Sequence, residues 1–250
     1  MATRPTKAER RAQARLERRQ AAASAQRSAR NRTIGLLVVG LVAIAAVVVV
    51  VTREPASEPA PTDLTALLAS STQAATDAGC STVQTVPAYQ PEALDRSHTG
   101  SEEVADMPPI ADYPSIPPTS GPHDPAPLAA GVYDRAPDLG MAIHSLEHGG
   151  VIIWYAPDAP AEDIRALTDL YSRYDEAGAR VIVAPYDYPG EGPAGALPSG
   201  TQMALVSWHR LQTCASIDPA AAFGFSARQA FPAYASEQYL GEAPEPGAQM

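Results

Sequence analysis

Apolar and polar positions divide the chain into three kinds of stretch. The first is residues 34–51, IGLLVVGLVAIAAVVVVV, eighteen positions with neither a charge nor a polar side chain. As a helix rising 1.5 Å per residue it would cover ~27 Å, close to the hydrocarbon thickness of a bilayer. A core helix would show a polar face, and a cleaved leader would have a shorter apolar run. The pattern therefore predicts a single transmembrane helix over 34–53. The second kind runs from Pro87 to Pro137, where eleven prolines interrupt any periodicity. Such a stretch makes neither a helix nor a central strand, and is expected to form an ordered, looping coat.

The third kind is periodic. Leu64, Leu67 and Leu68 predict a short helix over 63–78 that ends near Gly79. GVIIWY at 150–155 and RVIVAP at 180–185 read as buried strands. Between them, after Pro160, Ile164, Leu167, Leu170, Tyr171 and Tyr174 recur at helical spacing, with Gly178 as the stop. Strand, helix and strand predict a βαβ crossover with parallel strands. Residues 186–200 are expected to be a long flexible loop, and 203–211 a third strand continuing toward Cys214. A last helix over 219–230 is capped by Asp218. The fold class is thus α+β, a transmembrane helix followed by a Pro-rich irregular segment and a small mixed sheet with a βαβ core. The folded domain spans 63–240, after a Pro- and Glu-rich linker at 54–62, and the tail 241–250 is expected to fray.

Charge gives the membrane helix a direction. Residues 1–33 carry ten basic and two acidic side chains, so this arm is expected in the cytoplasm and the domain outside, at the cell membrane. Topology and anionic lipid account for the arm without nucleic acid. Beyond Arg53, 7 arginines stand against 26 acids, a net of about −19. That excludes nucleic acid as the domain's partner and leaves cations compatible. Cys80 and Cys214 are the only cysteines. In an oxidising compartment they are expected to form one disulfide, closing a loop that stabilises by about 5 kcal/mol in the chain-entropy model. The alternative is a thiolate metal ligand, and the spacing is not that of a CxxC redox pair.

Candidate chemistry centres on PPTSGPH at 117–123 and IHSLEHGG at 143–150, which hold His123, His144 and His148. Imidazole is the commonest protein ligand of transition metals, and these three are expected to converge on one ion. His98 is a fourth candidate ligand. Met141 and Met203 are thioethers, and a His/Met set puts copper ahead of zinc. HSLEH also matches H-x-x-E-H, in which Glu147 would be the general base of a metal-dependent hydrolase. Gly140 upstream and Gly149-Gly150 immediately after count against the helix that such a site needs. An extended 141–148 would still put His144 and His148 on one face, so the choice between helix and strand stays open. His209, beside Trp208, reads as structural. No nucleophile motif or phosphate-binding glycine loop is present, which weighs against an enzyme. The third reading is a non-catalytic structural or interaction module, whose imidazoles tie the coat to the sheet. Imidazoles within ~4 Å of a common point favour metal binding, an open position beside Glu147 favours hydrolysis, and imidazoles bonded to backbone carbonyls favour the structural module.

PPTSGPH and H-x-LEHG together resemble the bacterial domain-of-unknown-function family 3105, whose members have a membrane-anchored N-terminus. The likeness covers about residues 90–230 and includes His98 and ALVSW at 204–208. It implies no activity. It does imply that His98, His123, His144, Glu147 and His148 are the family's motif positions. The loop at 186–200 and the pair Cys80/Cys214 depart from that pattern.

Overall fold

A computed structural model describes residues 64–173, 180–230, 243–245 and 250. The chain divides into two units, Met1–Pro61 and Thr62–Met250, and all described residues belong to the second. The expected transmembrane helix, its basic arm and the linker lie outside them, as do Tyr174 and Gly178. Among the described residues no helix is long and apolar enough to cross a membrane.

Unit two is a six-stranded mixed sheet covered on both faces. Its strands are β1 (Gln84–Thr85), β2 (Gly131–Val132), β3 (Val151–Tyr155), β4 (Val181–Pro185), β5 (Met203–Ser207) and β6 (Arg210–Cys214). They lie in the order β1-β6-β5-β3-β4-β2. Strands β2, β4 and β3 are parallel, and β5, β6 and β1 continue the sheet antiparallel. The helices are α1 (Leu64–Asp77), α2 (Leu139–Glu147), α3 (Ala161–Arg173) and α4 (Pro219–Ala230). All five residues of β3, and all five of β4, are buried, as a strand with both faces covered requires.

Alternation sorts those residues between two cores. Ile153, Val183, Met203 and Leu205 pack with Leu167 and Leu170 of α3, Phe223 and Phe225 of α4, and the leucines of α1. Ile152, Trp154, Ile182, Ala204 and Val206 pack on the other face with Ile143 and Leu146 of α2 and with the Pro-rich coat. The expected βαβ crossover is β3–α3–β4, with Val151 opposite Val181 in parallel register. Asp218 caps α4, its Oδ1 accepting from the N–H groups of Ala220 and Ala221. Cys80, just past α1, is disulfide-bonded to Cys214 at the end of β6. No cysteine is left to ligate a metal.

Two expectations change. The single strand over 203–211 is a hairpin, β5 turning into β6 at Trp208-His209, where His209 takes φ 57°. Both turn residues are buried, and neither is a glycine, proline, asparagine or aspartate that would mark a turn in the sequence. The loop 186–200, expected to be free, is tied to the sheet at Tyr186 and Tyr188. Tyr186 is fully buried and donates to the Ala194 carbonyl, Tyr188 donates to that of Pro137, and both rings stack edge-on against Trp154. Aromatic side chains hold this stretch down where its glycines and prolines suggested freedom.

Candidate metal centre

Leu139–Glu147 is helical with His148 as its C-cap, which resolves the open choice over HSLEH. Asp138 caps α2, its carboxylate accepting from the Met141 N–H. The glycines that counted against a helix are its stop. Gly149, at φ 83°, donates to the Leu146 carbonyl and Gly150 to that of Ser145. This is the Schellman pattern, in which a left-handed residue satisfies the last carbonyls and turns the chain out within two residues. Strand β3 can therefore begin at Val151. Leu139, Ala142, Ile143 and Leu146 repeat at helical spacing and face the sheet. His144, Glu147 and His148 occupy the flank under the coat.

The coat brings the other two imidazoles. Segments 97–99 and 121–123 run side by side, the Thr99 N–H donating to the His123 carbonyl and the His123 N–H to that of Ser97. This pairing sets the His98 ring 4.9 Å from His123 and stacks it at 4.9 Å over His144. Rings 123 and 144 are 5.0 Å apart, and rings 144 and 148 are 4.5 Å apart. One ligand atom from each of His98, His123, His144 and Glu147 can be chosen so that all four lie within 4.8 Å of one another. A tetrahedral ion would draw such atoms to ~3.3 Å separations, a contraction within the reach of side-chain torsions.

Hydrogen bonding fixes which nitrogens face inward. Nδ1 of His123 lies 2.7 Å from the Gly121 carbonyl, and Nδ1 of His144 lies 2.7 Å from the Asp124 carbonyl. A carbonyl only accepts, so both Nδ1 atoms carry the proton, and in the neutral rings both Nε2 atoms present lone pairs. The Nε2 of His123 then meets Oε2 of Glu147 at 3.1 Å, and His98 Nε2 is 3.9 Å from the same oxygen. Nε2 of His144 is 2.9 Å from Nε2 of His148. Burial would raise the pKa of Glu147, but the bonds to His123 and Arg96 outweigh it and hold the carboxyl at about 2. Burial, and then the charges that neighbouring imidazoles would carry, lower the pKa of His144 against the opposing bond to the Asp124 carbonyl. The 3.1 Å contact between His123 Nε2 and Glu147 Oε2 is a hydrogen bond only with a proton on Nε2, and an ion bound there would displace that proton.

Several contributors carried no sequence signal. Arg96 donates through Nε to Oε1 of Glu147 at 2.6 Å, leaving Oε2 to face the imidazoles. Glu245 donates its N–H to the Glu147 carbonyl, and its carboxylate lies 3.2 Å from Arg96 and 3.5 Å from His148. Of the expected tail 241–250, residues 241–242 and 246–249 lie outside the described residues. Asp95 accepts from Ser120 and the Tyr89 N–H, and its other oxygen lies 2.9 Å from Nε2 of His209, tying the coat to the hairpin. His209 is structural, as expected. These residues are far apart in the chain and belong to no motif.

The methionines do not complete a His/Met set. Met203 points into the core on the opposite face of the sheet, because it alternates with Ala204, which faces α2. Met141 packs half-buried against the apolar cluster beneath α2. His148 abuts the quartet through His144. Nor does Glu147 suit general-base work, since Arg96 and His123 engage its two oxygens and its pKa lies far below neutrality.

Among comparisons with known proteins, the family described as "Protein of unknown function (DUF3105)" matches residues 106–248. The matched span includes His123, His144, Glu147 and His148 and begins after His98. No curated protein and no solved structure matches the chain.

Proposed function

The chain belongs to the DUF3105 family, and on that premise we propose that it is a membrane-tethered, extracytoplasmic protein that binds one divalent transition-metal ion. The ligands are His98, His123, His144 and Glu147. The observation that carries this reading is the pair of Nδ1–H bonds to the Gly121 and Asp124 carbonyls. They turn both Nε2 atoms inward, beside a buried carboxylate, the arrangement by which metal-binding histidines are usually oriented. Arg96 does the same for Glu147. Three imidazoles and a carboxylate without sulfur suit zinc and other borderline ions. The argument that put copper first needed a methionine, so zinc stands first here. The tether rests on the apolar run 34–51 and the basic arm before it.

The test is elemental analysis of the full chain, purified in detergent and loaded with zinc, beside the double variant His123→Ala/His144→Ala. One ion per chain is expected, and none in the variant. Substitution by cobalt should give the visible bands of a four-coordinate site. Equal metal content in the two proteins would leave the second reading, which the same carbonyl bonds support. In it the imidazoles lock the coat onto α2, and nothing binds.

A further inference from the structure

The metal centre lies beside His148, just before β3 begins. At the other end of β3, ~17 Å away for five extended residues, there is a cleft of about 510 Å³ that the metal reading does not use. Its walls come from the chain leaving each of the three parallel strands. Asp134 and Arg135 follow β2, Tyr155 and Pro157 end and follow β3, and Asp187 follows β4, with Ile164 of α3 beside them.

Topology accounts for the opening. After β3 the chain crosses to β4 through α3 on one face of the sheet, and after the neighbouring β4 it leaves over the other face, where Tyr186 and Tyr188 pack. Connections that leave the carboxyl ends of neighbouring parallel strands for opposite faces part from each other. The crevice between them is where open α/β sheets bind small molecules. The volume falls within the range of small-molecule sites.

The charges select the ligand. Asp134, Arg135 and Asp187 are exposed at the mouth, and Tyr155 and Ile164 supply aromatic and aliphatic wall. Burial raises the pKa of the Tyr155 phenol, and the charge of Asp134 raises it further, which shows that carboxylate's field reaching the floor of the cleft. Two carboxylates and one guanidinium complement two amines and one carboxylate. We propose that this cleft binds a free dibasic amino acid, its two ammonium groups facing Asp134 and Asp187, its carboxylate facing Arg135, and its methylene chain lying along Tyr155 and Ile164.

The experiment is calorimetric titration of the full chain in detergent with L-lysine, with cadaverine, which lacks the carboxylate, and with norleucine, which lacks the second amine. Lysine should bind, and each control at least about tenfold more weakly. Asp134→Asn/Asp187→Asn should weaken lysine by at least about tenfold, and because both side chains are exposed the variant should fold as the parent does. His123→Ala/His144→Ala should bind lysine unchanged, which separates this site from the metal centre. No heat with lysine at millimolar concentration would overturn the proposal. So would cadaverine binding as tightly as lysine, or undiminished binding in the aspartate variant.

Discussion

Glu147 carries most of the electrostatic consequence of the site. Its side chain is 2% exposed, yet it stays ionised because Arg96 and His123 hold its pKa at about 2, against an ordinary 4.5. A depressed carboxyl stabilises the fold fully above its unfolded pKa, and that contribution disappears as pH falls from about 4.5 toward 2. The shift corresponds to about 3 kcal/mol. Urea unfolding of the metal-free chain should show stability falling across this window, and Glu147→Gln should flatten the fall. His148 gives a second test. With Nδ1 of His144 committed to Asp124, the proton in the 2.9 Å contact between the two Nε2 atoms belongs to His148. His148 therefore caps the lone pair that an ion would use, and loading must break that bond. Replacing His148 by alanine should preserve one zinc per chain, whereas His144→Ala should abolish binding. Competition with a chromophoric chelator would measure both.

At the scale of elements, the turn that ends α2 decides where the site can form. Nine residues of helix, a left-handed glycine and a strand follow one another without a loop, so any change in the exit angle moves His148 and β3 together. At φ 83° Gly149 holds a conformation that costs other residues roughly 1–2 kcal/mol, and a Cβ there would also come within 3.4 Å of Ala243. Gly149→Ala should lower the urea-derived stability by about that amount and weaken zinc binding as well. Tight binding in a destabilised variant would show that the ligands tolerate a shifted exit. Opposite the helix, Gly121 takes φ 118°, and a Cβ there would approach the Tyr113 ring to 2.7 Å. The peptide that accepts from His123 is thus seated on that ring, whose hydroxyl donates to the Pro122 carbonyl. Proline and glycine fix the coat locally, and Tyr113 and Asp95 fix it to the rest.

For the molecule as a whole, the disulfide closes a loop of 134 residues that contains the coat, α2, α3 and all six strands. Replacing both cysteines by serine should cost about 2–5 kcal/mol of stability, read as a lower midpoint in urea. The bond also tests the proposed location. Chain recovered from cells lysed in an alkylating agent should carry no blocked cysteine, and modification of both would place the domain in a reducing compartment.

Some of this was legible in the one-dimensional pattern. Helical spacing gave α1 and α3, the Asp218 cap gave α4, and unbroken β-branched runs gave the parallel pair β3 and β4, because each needs only local sequence. The crowding of histidines in two motifs was enough to nominate His123, His144 and His148, with His98 added from the same Pro-rich coat. The rest depended on partners distant in the chain. Glycines after HSLEH signal the end of something, and only the bonds back to Leu146 and Ser145 show that it is a helix. Met203 is one residue away from facing α2, and strand alternation sends it to the other core. Arg96 lies 51 residues from Glu147, and Glu245 lies 149 residues from Arg96. Spacing along a chain records which side chains share a face. Which nitrogen carries a proton, and which lone pairs meet, is set by carbonyls that folding brings from elsewhere.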